Sequence, residues 1–304
     1  MNYIILFSLG SFLFILTCIS FFKLDENTDE FYFKFTTHPQ SSLIIGTSRA
    51  AQGILPSILD SILNRRDLFN YAFTIAHSPF GESYYKSIKS KINSNSKNGI
   101  FIVTVDPWSV SSTTEDPNDS LSFQEIKLAV GATRFVNSNP NLLYLLKSYD
   151  QPFYNLFARK ENNSVVLHKN GWLEVSVSMD TTSVLKRLKE KVISYNVNAR
   201  QYKFSYVRWR YLAKTINLLK TKGDVYLVRL PMHEQIFEIE KKYMPEFETK
   251  IKNLSSDLKV SYYDMSNLNM ELKYTDGNHL YKSSAKEVSG EIAKWIKNIR
   301  IKNE

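Results

Sequence analysis

The chain opens on an uninterrupted apolar run. Tyr3 to Phe22 carries no charged residue and only isolated Ser and Thr. At ~1.5 Å rise per residue, a helix of this length matches a hydrocarbon layer of ~30 Å. A soluble surface helix would show a polar stripe, so the pattern predicts a transmembrane anchor over 1–22. Two other readings compete with it. A cleaved signal peptide would want Lys or Arg before the run and a small-x-small site after it, and neither is present. Lipidation at Cys18 would want smaller residues than Ile15, Leu16 and Thr17 before it. Residues 23–41 read as a polar linker dotted with aromatics.

Beyond the linker, short apolar runs alternate with helix-period segments. Strands are expected over 43–46, 68–73, 99–105, 224–230 and 258–263. The run Ile100-Phe101-Ile102-Val103-Thr104-Val105 has the look of a strand covered on both faces. Helices are expected over 56–63, 81–92 and 207–220, over 234–254 with a break at Pro245, and over 284–299. Ser284 with Glu287 three positions later reads as a capping box opening the last of these. Such alternation implies an α/β fold, a three-layer doubly wound parallel sheet with helices on both faces. Residues 107–201 break the rhythm. They hold a helical stretch near 123–147 and a strand-like patch at 171–177, and read as an insertion capping one edge of the sheet. The expected organisation is therefore an anchor (1–22), a linker (23–41) and one α/β domain (42–304) with the insertion 107–201.

Charge and cysteine narrow the chemistry. The net charge is +9, from 39 basic and 30 acidic residues. The lysines are scattered, so the excess reads as solvated surface and no nucleic-acid partner is expected. One cysteine excludes an intrachain disulfide and a Cys-based metal site. Neither a dinucleotide fingerprint nor a Walker loop is present. No cofactor and no metal are expected.

The candidate chemistry lies in two distant segments, Gly46-Thr47-Ser48-Arg49 and Asp276-Gly277-Asn278-His279. A serine hydroxyl attacks only when a base takes its proton, and the base needs an orienting acid. In doubly wound sheets ligands sit beyond the carboxyl ends of the strands. Ser48, Asp106 and the 276–279 loop all follow expected strands, so all three fall at that edge. Taken singly, Ser48 is a helix cap, Asp276 a turn residue and His279 a loop histidine. Together they form a candidate Ser-His-Asp set. His77 and His233, each after a strand, are rivals to His279, and no ligand spacing makes the three histidines a metal site. Trp108, following Asp106, is the best placed aromatic for stacking on a sugar ring.

The stretch Ile44-Ile45-Gly46-Thr47-Ser48-Arg49-Ala50-Ala51-Gln52-Gly53-Ile54 before Pro56, with Asp276-x-x-His279 ahead of the last helix, resembles the SGNH/GDSL hydrolases. The likeness is closer to their membrane-anchored branch acting on bacterial cell-envelope polymers, such as teichoic-acid D-alanylation and alginate O-acetylation proteins. Asn70-Tyr71-Ala72-Phe73 through Ser78-Pro79 resembles the second sequence block, and Asp106-Pro107-Trp108 stands where the third follows its strand. The resemblance covers roughly residues 43–106 and 220–300 and leaves 107–200 outside.

It implies an SGNH/flavodoxin-like sheet, with Ser48 as nucleophile, His279 as general base and Asp276 orienting it. The backbone N–H of Arg49 would be an oxyanion donor. Two departures stand out: Ile75 holds the place of the usual block-two glycine, and Asp106 stands near that of the block-three asparagine. Ile75 could donate only its backbone N–H. A carboxylate stabilises an oxyanion poorly unless protonated, so Asp106 is assigned to holding its loop. His77 and Trp108 would line the pocket. The function implied is a serine esterase or O-acyltransferase acting on O-acyl groups of an envelope or exported polysaccharide. The chain would sit in the bacterial cell membrane as a single-pass protein with its catalytic domain outside, and a membrane O-acyltransferase would be a partner. Two alternatives remain: a non-catalytic scaffold of the same fold that binds a glycan or such an acyltransferase, and a plain ester hydrolase with no polysaccharide role.

Overall fold

The computed structural model describes residues 2–21, 28–156, 164–266, 268 and 270–303. A five-stranded sheet organises the domain: β1 (Ser42–Ile45), β2 (Leu68–Asn70), β3 (Gly99–Thr104), β4 (Gly223–Arg229) and β5 (Ser261–Asp264), in the order β2-β1-β3-β4-β5. Every neighbouring pair is parallel. The fold is α/β with a central parallel sheet. β1 and β3 pair with Ile44 opposite Ile102.

Side chains alternate between the two faces of the sheet, as the strand period requires. Leu43, Ile45, Phe69, Phe101, Val103, Val225 and Leu227 point to one face. Three helices cover it: α4 (Glu82–Lys91), α6 (Tyr206–Lys220) and α8 (Phe247–Asp257). Ile44, Leu68, Ile100, Ile102, Tyr226 and Val228 point to the other, under α2 (Ser48–Gly53), α3 (Pro56–Leu63) and α9 (Lys282–Asn303). Each such buried apolar side chain contributes about 1.5–3 kcal/mol of transfer free energy.

Several expected elements differ in extent, for local reasons. β2 ends at Asn70, although the Tyr71 N–H still donates to Ile44 O at 2.8 Å and the Phe73 N–H to Gly46 O at 3.4 Å; the Asn70 amide ties the segment to α2. Its Nδ2 donates to the carbonyls of Ala50 and Ile54, and its Oδ1 accepts the Ala72 N–H. The helix expected over 234–254 is two helices, α7 (Glu234–Tyr243) and α8, because Pro245 has no N–H to give and disfavours helical geometry at Met244. The last strand begins at Ser261, after a turn in which Lys259 takes a positive φ of 51°. Ser284 is not a cap. α9 starts at Lys282, and the buried Ser284 hydroxyl accepts the Lys273 N–H at 2.8 Å, tying the incoming loop to the first turn.

Residues 123–147 do not form one helix. Short turns lead to Ala129–Ala132, and Asn141 caps a separate helix at Leu142–Lys147 by accepting the Tyr144 N–H. The patch at 171–177 is half of a hairpin, Leu173–Val175 running antiparallel to Val165–Leu167. Unforeseen was α5 (Thr181–Gln201), capped by Asp180, which accepts the Ser183 N–H. α5 packs on α7.

At the N-terminus the apolar run forms α1 (Asn2–Phe21). Among the described residues no helix is long and apolar enough to cross a membrane. Met1 and Phe22, at the limits of the expected anchor, lie outside those residues, as do the side chains of residues 18–21. Of the expected linker, residues 23–27 lie outside them too. The remainder is no free tether: Tyr32 and Phe35 are fully buried, and Lys34 is buried with its Nζ donating to Ala72 O at 2.6 Å.

Burial pushes the Lys34 ammonium down to about 7. The free side chain titrates near ~10.4. Between these values the unfolded chain binds more protons than the folded one, so stability rises with pH across that window. We expect the unfolding free energy of wild type minus that of Lys34→Met to rise from pH 7 to 9 by roughly 1 kcal/mol per pH unit. Urea titrations at three pH values measure it. A difference that does not change with pH contradicts this assignment.

Candidate active site

The sheet order reverses between β1 and β3, and the crevice at such a reversal is where doubly wound sheets hold ligands. Ser48 follows β1 and Asp106 follows β3, so they flank this crevice. The turn out of β1 needs Gly46. Its φ is +152°, and a Cβ there would stand 1.8 Å from Thr104 Oγ1. The Ser78 hydroxyl donates to Gly46 O at 2.8 Å and fixes the turn from the other side. Thr47 is extended, and Ser48 is the first residue of α2.

The loop from Thr275 to Leu280 brings the second segment to the same place. His279 Nε2 lies 2.8 Å from Ser48 Oγ, and His279 Nδ1 lies 2.9 Å from Asp276 Oδ2. Asp276 Oδ1 also accepts the backbone N–H groups of Asn278 and His279, each at 2.9 Å. Lys191 Nζ pairs with Asp276 Oδ2 at 2.9 Å. Burial alone would raise the Asp276 pKa. The hydrogen bond and charge of His279 together with Lys191 outweigh it and hold the carboxyl well below the usual range. An ionised Asp276 keeps the imidazole proton on Nδ1. The Nε2 lone pair then faces the Ser48 hydroxyl.

A cavity of about 210 Å³ opens on this pair, its rim formed by Thr47, Ser48, Arg49, Ile75, Asp106, Trp108, Asn278 and His279. Tyr202 and four residues of α5, Lys191, Ser194, Tyr195 and Asn198, complete the wall. Behind the wall lies a buried ionic network. Arg49 Nη2 meets Glu240 Oε1 at 2.6 Å, Glu240 Oε2 meets Arg229 Nη2 at 3.1 Å, and Trp108 Nε1 donates to Glu240 Oε1 at 2.7 Å. Burial by itself would weaken the Arg49 charge, and the adjacent Glu240 more than offsets it, so the guanidinium stays charged.

The expected site residues divide accordingly. Ser48, Asp276 and His279 form one hydrogen-bonded run, and Arg49, Ile75, Asp106 and Trp108 line the cavity. The Arg49 backbone N–H sits in the first turn of α2, ahead of the Ala50 and Ala51 N–H groups that return to Thr47 O. Asp106 accepts the Ser109 N–H at 2.8 Å and the Thr47 hydroxyl at 3.3 Å, and burial raises its pKa despite Arg49 nearby.

Two expectations change. His77 is not among the cavity residues. It bonds Thr74 Oγ1 at 2.8 Å and packs on Phe31 with ring centroids 4.8 Å apart, and burial pushes it down to about 4. Trp108 lines the cavity but offers no free face to a sugar. Tyr243 stacks on it at 4.6 Å and 5°, and Tyr195 and Tyr202 meet it edge-on. The rival His233 caps α7, its Nδ1 accepting the Gln235 N–H, while its backbone N–H donates to Gly277 O and so supports the 276–279 loop. Among the described residues no group of three or more His, Cys, Asp or Glu is placed to hold a metal.

Lys191, Ser194, Tyr195, Asn198, Glu240 and Asn278 were not anticipated. For the α5 residues a signal existed: Asp180 as a cap, then Leu185, Leu188, Val192 and Tyr195 at helical spacing. For Glu240 there was none.

No protein-family model matches the chain, and no curated protein matches it. Among solved structures, Est24, a carbohydrate acetylesterase from Sinorhizobium meliloti, is similar with a TM-score of 0.41 and 10% identity over 85% of this chain and 99% of its own. The native aryl esterase of M. smegmatis is similar with a TM-score of 0.39 and 11% identity over 84% of this chain and 99% of its own. Similarity at this level identifies no family.

Proposed function

We propose that the chain is a serine esterase or O-acyltransferase of SGNH type, working through Ser48, His279 and Asp276 on short acyl esters of a saccharide. The observation that carries this reading is the run from Ser48 Oγ through His279 to Asp276, with contacts of 2.8 and 2.9 Å, opening on a cavity. As Ser48 Oγ attacks the ester carbonyl, its proton passes to His279 Nε2 and the new imidazolium is held by ionised Asp276. The carbonyl oxygen becomes an oxyanion, met by the Arg49 backbone N–H at the start of α2. On collapse the bond to the alkoxy oxygen breaks, and that oxygen takes the proton from Nε2. Water or a sugar hydroxyl then repeats the steps in reverse on the acyl-serine.

The cavity of about 210 Å³ has room for an acetyl group at Ser48. Its lining residues Ser194 and Asn198 offer a hydroxyl and an amide of the kind that bind saccharides. The apolar helix α1 exposes Tyr3, Phe7, Phe12 and Phe14, which supports an anchor in the cell membrane with the domain outside, where an envelope or exported polysaccharide is in reach. A membrane O-acyltransferase would be a natural donor of the acyl group there. One observation favours the second reading, a non-catalytic scaffold: Asp106, which lines the cavity, has no proton to donate to an oxyanion when its carboxyl is ionised.

A comparison of acyl groups tests the proposal. The full chain in detergent should hydrolyse acetyl esters, including acetylated oligosaccharides, with kcat/KM at least ~100-fold above octanoyl esters. Equal or better octanoyl turnover would contradict the saccharide reading. No turnover of any ester by folded protein favours the scaffold.

A further inference from the structure

Asn278 sits between the aspartate and the histidine of the loop and is buried at 5% exposure. Its amide is clamped. Asn278 Oδ1 accepts Arg49 Nε–H at 2.7 Å and the Tyr195 hydroxyl at 2.5 Å. Two donors on one oxygen fix which end of the amide is which. The NH2 end therefore has to face the other way, and it lies 3.1 Å from His279 Nε2. Arg49 is in turn held by Glu240. This is a rigid donor aimed at the reacting nitrogen, with its rotamer set by a charged network.

The arrangement overfills His279. With the imidazole proton on Nδ1, Nε2 has one lone pair, and both Ser48 Oγ–H and Asn278 Nδ2–H converge on it. Once the Ser48 proton has moved to Nε2, that nitrogen becomes a donor and can no longer accept from Asn278. The amide N–H then needs another acceptor close to Nε2. The alkoxy oxygen of the breaking ester is one, since it must come within hydrogen-bond reach of Nε2 to take the proton.

We propose that Asn278 is a catalytic residue whose Nδ2–H donates to the leaving alcohol oxygen, and to the attacking hydroxyl or water oxygen in the second half-reaction, which makes the site selective for alcohols that leave as strongly basic alkoxides. The inference rests on the Ser48 reading above. The balance of the step is unchanged: the C–O bond breaks, its electron pair goes to the alkoxy oxygen, and the proton comes from Nε2. Asn278 keeps its own hydrogens and stabilises the charge that builds on that oxygen before the proton arrives. An aryl oxide such as p-nitrophenolate leaves without such help. A sugar or alkyl alkoxide does not.

The test is a ratio. Full-length wild type, Asn278→Ala and Asn278→Asp are assayed in detergent with p-nitrophenyl acetate and with an alkyl or sugar acetate. Asn278→Asp keeps the acceptor for Arg49 and Tyr195 and removes the donor. In both variants kcat/KM for the alkyl ester, divided by that for the aryl ester, should fall about 30-fold, or ~2 kcal/mol at 1.36 kcal/mol per decade. The aryl rate of the same sample corrects for any unfolded fraction. A ratio within about twofold of wild type in both variants, whether the two rates fall together or neither falls, overturns the role of Asn278 and leaves Ser48 untouched. A wild type that cleaves neither ester overturns both.

Discussion

Ser48→Ala is expected to lower kcat for acetyl ester hydrolysis by about 10⁵-fold, as removal of a triad nucleophile does. Stability should change little. The Ser48 hydroxyl makes one side-chain hydrogen bond, to His279, at the rim of the cavity, and substitutions away from buried networks stay within about 0.5 kcal/mol. A large fall in kcat with an unmoved melting curve thus separates chemistry from folding. His279→Ala should fall almost as far, because the two groups act as one unit and their losses do not add. Residual activity above a tenth of wild type in Ser48→Ala would assign the turnover to another group.

The largest expected effect on stability lies behind the cavity. Glu240 is fully buried and compensates Arg49 and Arg229 while accepting the Trp108 indole N–H. Glu240→Ala removes the carboxylate that Arg49 pairs with and leaves Arg229 only Glu248, whose Oε2 lies 3.6 Å from Arg229 Nη1. Breaking a buried pair in this way costs about 3–5 kcal/mol. Arg49 Nη1 and Arg229 Nε already lack partners, so little slack exists to absorb the loss. The damage should reach function as well. With Arg49 released, the clamp on Asn278 loosens, and activity should fall beyond what the unfolded fraction explains. Urea unfolding followed by Trp fluorescence measures the first effect. A loss below about 1 kcal/mol would mean that solvent reaches the network and screens it.

Much of the fold was legible because its strands are buried on both faces. A strand such as Gly99–Thr104, with all six residues buried, draws on apolar residues on both faces, and Ile100-Phe101-Ile102-Val103 leaves a run in the sequence. The serine was legible because it follows such a run, Leu43-Ile44-Ile45; the Asp-Gly-Asn-His loop was legible from its residue types and its place ahead of the last helix. The distance between them, 2.8 Å across 231 positions, follows from the parallel sheet delivering both to one edge.

What stayed hidden had physical reasons. In α5 only Leu188 is buried, at 7% exposure, and Leu185, Ile193 and Val197 are exposed, so its helical spacing does not mark a core face. It nonetheless supplies four side chains of the cavity wall. Glu240 sits in a helix whose sequence, with Lys241 and Lys242 beside it, reads as solvated surface. Its partners come from positions 49, 108 and 229, and nothing local announces them. Ser284 fits a capping box by spacing, yet the helix begins two residues earlier and its hydroxyl serves another loop. Trp108 looked free in sequence because the residues that cover it, Tyr195, Tyr202 and Tyr243, are distant in the chain.

The most direct measurement is covalent. Full-length protein in detergent is incubated with a fluorophosphonate and digested, and the adduct is located by mass spectrometry. An imidazole poised on a serine hydroxyl predicts stoichiometric modification of Ser48, lost when the protein is unfolded first and slowed at least ~10³-fold in His279→Ala. Folded protein that stays unmodified, or that carries the adduct on another serine such as Ser194, contradicts the account.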